Sequence, residues 1–179
     1  MPLLLLVVAT DSNDQKQTLR VQPKTTKINA RKRPSAAEFL RRMEAISIVF
    51  SHIFVGVSDF ERALGFYNPL MSALGIQPRF CDRERPWAGW QSSPDPRPLY
   101  IIGAPQDKLA HESGNGQMVA FLAASRADVE KAHAVALANG GTSEGAPGLR
   151  PEYHEHYYGA YFRDPDGNKL CVACHLPAG

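Results

Sequence analysis

The sequence predicts an α+β domain of two tandem βαβββ modules whose free sheet faces enclose a shared cavity. Apolar runs with strand character alternate with two stretches of helical period, and Gly, Pro and Asp clusters separate the shorter runs. The order of elements in residues 45–105 also recurs in 114–176. Placing His52 on Met118 without a gap sets Tyr67 on His133, Leu70 on Ala136 and Gly75 on Gly141, so strand and helix coincide in both copies.

Residues Ile46 to Val57 are β-branched and aromatic on both parities, which predicts a strand covered on both faces. Ser58 or Asp59 supplies an N-cap, Leu64, Tyr67, Leu70, Met71 and Leu74 follow at helical spacing, and Gly75 ends the run. Shorter strands are predicted at Gln77 to Cys81, Trp87 to Gln91 and Leu99 to Ile102, broken at Pro86 and at Ser93-Pro94-Asp95-Pro96. In the second module Gln117 to Ala123 reads as a strand and Arg126 to Asn139 as an amphipathic helix. Tyr157 to Arg163 and Lys169 to His175 form an antiparallel pair turned by Asp164-Pro165-Asp166-Gly167. An apolar helix covers one face of each sheet, so joining the modules to bury the other faces creates a hollow, and function is sought there.

Composition narrows the function classes. The longest apolar runs, Leu3 to Ala9 and Met118 to Ala124, fall far short of the roughly 20 residues of a membrane span. Three cysteines, one necessarily unpaired, suit a reducing compartment and predict a cytoplasmic protein. Residues 1–42 carry nine Lys/Arg against three Asp/Glu, whereas 43–179 carry eleven against fifteen. The first segment therefore reads as a basic, largely disordered extension and the second as one mildly acidic domain with no electrostatic footprint for nucleic acid. The opening MPLLLLVVAT lacks the positive charge that precedes a signal-peptide core, and a chain starting at Met43 is expected to fold as well as the whole.

The stretches HIFVGVSDFERALGFYNPLMSALGI at 52–76, GNGQMVAFLAASRADVEKAHAVALANGG at 114–141 and GLRPEYHEHYYGAYFRDPDGNKLCVACH at 148–175 carry a resemblance. In this order they resemble the vicinal oxygen chelate superfamily of glyoxalase, bleomycin-resistance and extradiol dioxygenase-like proteins. The closing YYGAYFRDPDGN looks like its glyoxalase-like bacterial subgroup. The resemblance implies the half-barrel fold, a small-molecule ligand and a homodimer. In metal-using members, the first and last strands of each module supply four ligands, commonly two His and two Glu. Carried over by position, those places fall on His52, Tyr100, Met118 and Cys171. A thioether, a phenol and a thiol replace three usual ligands, which suits no hard divalent ion, so no catalytic metal is expected. The metal-binding alternative is a soft site on His52 with Cys171.

His52, Tyr100 and Cys171 are the candidate catalytic groups, and Met118 is a candidate cavity wall. Trp87 and Trp90 have opposite strand parity, so only one can face the cavity, and Trp90 is taken as the ligand contact. Arg150-Pro151-Glu152-Tyr153-His154-Glu155-His156-Tyr157-Tyr158 is the densest polar-aromatic cluster and reads as a loop. In the resembling subgroup this region caps the cavity, which implies ligand contacts from Arg150, Tyr153, His154 and Tyr158. Two functions fit: a metal-independent binding protein of the bleomycin-resistance type, or an enzyme of the glyoxalase or dioxygenase type working through a reduced metal site or through His52 as acid and base.

Overall fold

The computed structural model describes residues 50–91 and 97–178, all within one compact unit that spans Ile46–Gly179. The expected basic extension, the start of the first strand and the Ser93 to Pro96 turn lie outside the described residues. The first module runs β1 (His52–Gly56), α1 (Phe60–Ala73), β2 (Gln77–Asp82), β3 (Trp87–Gln91) and β4 (Leu99–Gly103). The second runs β5 (Val119–Leu122), α2 (Arg126–Ala138), β6 (Thr142–Leu149), β7 (Tyr158–Arg163) and β8 (Lys169–Cys174). The two four-stranded sheets have orders β1-β4-β3-β2 and β5-β8-β7-β6, with β1·β4 and β5·β8 parallel and the other pairs antiparallel. This is the duplicated βαβββ arrangement that the order of elements predicts.

Both helices begin on side-chain caps. Asp59 Oδ1 accepts the Arg62 N–H at 3.0 Å, while Ser125 Oγ accepts the Asp128 N–H and donates to its carboxylate at 2.7 Å, so the first turns satisfy donors the helix leaves open. α1 buries Leu64, Phe66, Tyr67, Leu70 and Met71 on the first sheet, and α2 buries Val129, Ala132, His133 and Ala136 on the second. The core passes between the modules: the Phe66 and Phe162 rings lie 6.4 Å apart and those of Tyr100 and Phe121 5.1 Å apart.

Strand register assigns every side chain to a face. Trp90 pairs with Tyr100, Tyr100 with Ile53, and Ala88 with Ile102; these point at α1. His52, Phe54 and Gly56 point the other way, with Leu99, Ile101 and Gly103. In the second sheet Phe121, Val172 and Ala160 face α2, whereas Ala120, Cys171 and Tyr161 share the opposite face.

The Asp164 to Asn168 turn locks the modules together. Asp164, 3 % exposed, accepts the Tyr67 hydroxyl at 2.7 Å, the backbone N–H groups of Asp166 and Asn168, and the Asn168 side-chain amide. Tyr100 extends the chain by donating to the Tyr67 oxygen at 3.0 Å. Burial drives both phenols well above their ordinary pKa, so both stay protonated and able to donate. From the same turn Asp166 accepts the Ser58 N–H and pairs with Arg62 at 2.8 Å, and Asn168 donates to the Gly56 carbonyl at 3.0 Å. A segment that reads as hairpin chemistry thus also sets the second module against the start of α1 and the end of β1.

β6 is the element the sequence hides. Its residues TSEGAPGL look like loop, and its pairing with β7 slips between Ser143 and Gly145 and again between Gly145 and Gly148.

Candidate functional site

Opposite the helices, an open cleft of about 1430 Å³ lies along the seam of the modules. Three segments build it. β1 contributes His52, Phe54 and Gly56, joined by Trp87 from β3; the second module contributes Met118 and Lys169; and the connector over residues 104–117 closes one side. His52 is exposed, with Nδ1 3.2 Å from Ser51 Oγ. Met118 is 44 % exposed and borders the cleft. Lys169 is held by Glu144 at 2.9 Å, and that cation with Arg163 keeps the Glu144 carboxyl below its usual range.

The connector brings a group with no sequence signal. His111 stands on Gly56: a methyl added to Gly56 would lie 2.8 Å from His111 Nδ1, so any larger residue at that point of β1 would shift the imidazole. His111 Nε2 is buried and has no hydrogen-bond partner among the described residues. Lys108, in the same connector, has φ of 63°, a backbone region non-glycine residues seldom adopt.

The structure brings together His52 and Met118 and separates the other candidates from them. Tyr100 and Trp90 are turned to the helix side, because their register partner Ile53 faces α1 while His52 faces the cleft; Trp87 is the cleft tryptophan instead. Tyr158 likewise points at α2 and donates to Glu130 Oε1 at 2.8 Å. Cys171 shares the cleft-side face of its sheet but is fully buried off the cleft, its Sγ 3.6 Å from the Tyr157 hydroxyl, which also accepts from Tyr161 at 3.3 Å. Burial pushes the Cys171 thiol up, so it is a protonated packing group at neutral pH and a poor nucleophile.

The polar-aromatic loop packs largely on itself. Arg150 donates to the Ala146 and Leu149 carbonyls with its guanidinium 5.7 Å from the Tyr161 ring centre. The Tyr153 and Tyr157 rings meet at a tilt with centres 4.9 Å apart, and His154 Nε2 meets His175 Nδ1 at 2.8 Å. None of these four loop candidates borders the cleft.

Of the cleft residues His52, Phe54, Met118 and Lys169, His52 alone is a usual ligand type for a hard divalent ion. Among the described residues no three of His, Cys, Asp and Glu stand close enough together to share a metal. No described helix is long and apolar enough to cross a membrane.

Comparison with known proteins agrees with this architecture. Residues 49–172 match the sequence model of the Glyoxalase/Bleomycin resistance protein/Dioxygenase superfamily. The chain belongs to that superfamily. A glyoxalase/bleomycin resistance protein from Albidiferax ferrireducens T118 has a similar crystal structure, with 37 % identity and a TM-score of 0.63, over 70 % of this chain and 98 % of that one. A glyoxalase/bleomycin resistance protein/dioxygenase family enzyme from Burkholderia phytofirmans PsJN shares the fold at 20 % identity and TM-score 0.54, over 70 % and 98 % of the two chains. So does a lactoylglutathione lyase from Agrobacterium tumefaciens, at 18 % identity and TM-score 0.51, over 72 % and 93 %. No curated protein matches. In this superfamily member, His52 on β1 is the one residue of a usual ligand type retained at the four positions the resemblance assigns, and it borders the cleft.

Proposed function

We propose that this glyoxalase/bleomycin-resistance-like protein binds a small organic molecule in the seam cleft and does so without a catalytic metal. The observation that carries this reading is the lining: Phe54 and Met118, both about half exposed, share it with Trp87, with polar groups supplied by His52, His111 and Lys169. Ligand sites combine an apolar wall with a few placed polar groups in this way, and a drug-sized molecule would fill only part of so large an opening. The donors near His52 favour a ligand held by contact and hydrogen bonds over one chelated to an ion.

Met118→Trp provides the test, because Met118 is exposed enough to tolerate a larger side chain and stands in the opening. A panel of small organic molecules is dialysed against protein treated with EDTA. At least one compound is expected to bind the wild type and to lose about tenfold or more in affinity to the variant. Binding that appears only after a divalent ion is restored, or that Met118→Trp leaves unchanged, would refute the reading.

Catalysis of the glyoxalase or dioxygenase type is the second reading, favoured by the two imidazoles, His52 and His111, that border one cleft. It requires turnover of the bound compound and loss of that turnover in His52→Ala.

A further inference from the structure

The wall that the second module lends the cleft does not end at Lys169. Met118 and Lys169 border the cleft, and two residues further along the chain come Ala120 and Cys171, which pair in register on β5 and β8. Lys169 and Cys171 lie on one face of β8, because alternate residues of a strand do, and Ala120 is exposed. The loop that precedes β7 sets a side chain on this continuation of the wall. A methyl built on Gly159 would lie 2.8 Å from Tyr157 Cε1, and the Tyr157 hydroxyl is 3.6 Å from Cys171 Sγ. Gly159 and Tyr161 are the β7 partners of Ala173 and Cys171, so the Tyr157 ring lies along the bare face of the sheet, and a side chain at Gly159 would have to displace it. Tyr161 donates to the Tyr157 hydroxyl at 3.3 Å, and the Lys169 ammonium is 5.9 Å from the Tyr161 ring centre. From the cleft inwards the order is therefore Lys169, Tyr161, Tyr157. Three rings hold Tyr157 there, those of Tyr153, His175 and His154, with centres 4.9, 5.0 and 5.7 Å away. The bond between His154 and His175 at 2.8 Å ties the same loop to the end of β8.

We propose that Tyr157 is the stopper of the cleft: it ends the space beyond Lys169 and so sets the greatest length of ligand that the cleft accepts. The proposal rests on the reading of the cleft as a ligand site and adds what limits the ligand. A ring packed against three others has no low-cost place to move, so it excludes a ligand as a core side chain would. Tyr157 is itself only partly buried, which places it at the boundary between filled and open space. Beneath and beside it lie Cys171, Ala173 and Gly159, all buried. Without the ring this apolar surface would face water, and an apolar tail that covered it would gain about fourfold in affinity for each methylene buried.

Butanol, hexanol, octanol and decanol are titrated by calorimetry into the wild type, Tyr157→Phe, Tyr157→Leu and Tyr157→Ala. In the wild type the gain of about fourfold per methylene is expected to stop at a chain length that Tyr157→Phe shares, since the ring remains. Tyr157→Ala is expected to move that limit to longer chains and to bind the longest alcohol at least about tenfold more tightly than the wild type does. Tyr157→Leu should move it part of the way and carries the test if the alanine variant fails to fold. Alkylation with iodoacetamide, read by peptide mass spectrometry, gives a second measure. Cys171 should react in Tyr157→Ala and be spared in the wild type, with the exposed Cys81 as internal standard. An unmoved limit in both shortened variants, no gain with chain length in any protein, or a Cys171 equally protected in Tyr157→Ala overturns the proposal. If the limit stays in place while the dialysis panel yields a compound blocked by Met118→Trp, the stopper falls and the cleft stands. If neither the alcohols nor the panel bind, both fall.

Discussion

Asp164→Ala is expected to lower the free energy of unfolding by about 4 kcal/mol, a severe loss for one side chain. The carboxylate is almost fully buried and accepts four hydrogen bonds, one from Tyr67 across the module boundary and three within its own turn. Its removal leaves the Tyr67 hydroxyl, whose other bonded neighbour Tyr100 donates to it, without an acceptor inside a core that water does not reach. It also releases the turn from which Asn168 and Asp166 hold Gly56, Ser58 and Arg62. Tyr67→Phe removes one of these bonds and the acceptor of the Tyr100 hydroxyl but leaves the turn intact, so its cost should be about 2 kcal/mol. Urea unfolding of the three proteins measures the difference. Equal losses in the two variants would mean that Asp164 acts only through Tyr67 and that the turn is held by other contacts.

Gly141→Ala should cost about 3 kcal/mol by overpacking. Gly141 follows α2, where its N–H donates to Ala136 at 2.9 Å as the chain doubles back into β6. An added methyl would sit 2.8 Å from the Ala136 carbonyl oxygen, 2.9 Å from that of Arg163 and 2.9 Å from the Phe66 ring. Two of the three obstacles are backbone, so no side-chain rotation relieves them, and the third is a fully buried ring of the other module. Gly65→Ala supplies the contrast, because Gly65 is an exposed interior position of α1 with nothing within 4 Å of the new methyl. That change should stabilise by roughly 0.5–1 kcal/mol through helix propensity alone. Opposite signs in thermal or urea unfolding are the expected result, and a neutral Gly141→Ala would show that the helix-to-strand turn relaxes freely.

Much of the fold was legible because its signals are local. Trp87 to Gln91 and Arg126 to Asn139 were read within a residue of β3 and α2, since breakers bound the one and a cap with helical spacing marks the other. β6 is not legible in the sequence, because its Gly and Pro content serves bulges that exist only in pairing with β7. The same division runs through the site. His52 and Met118 were legible as cleft residues from the duplicated register and the family resemblance. Parity alone showed that Trp87 and Trp90 must part, but choosing between them needs the pairing of Trp90 with Tyr100 and of Tyr100 with Ile53, which sequence does not state. Tyr100 falls on the face away from His52 for that reason, being one residue out of phase with Leu99, the partner of His52. Cys171 lies on the cleft-side face, yet Tyr157 folds back from the preceding loop to cover it. His111 had no signal at all: it is a lone histidine in an aperiodic connector, and its meaning comes only from the bare backbone of Gly56 beneath it.

That the cleft works without an ion is tested most directly by elemental mass spectrometry of protein purified without chelators, wild type beside His52→Ala. The expected result is no magnesium, manganese, iron, nickel or zinc near one equivalent in either protein. One equivalent of such an ion in the wild type that disappears with His52 would contradict it and make the seam a metal centre.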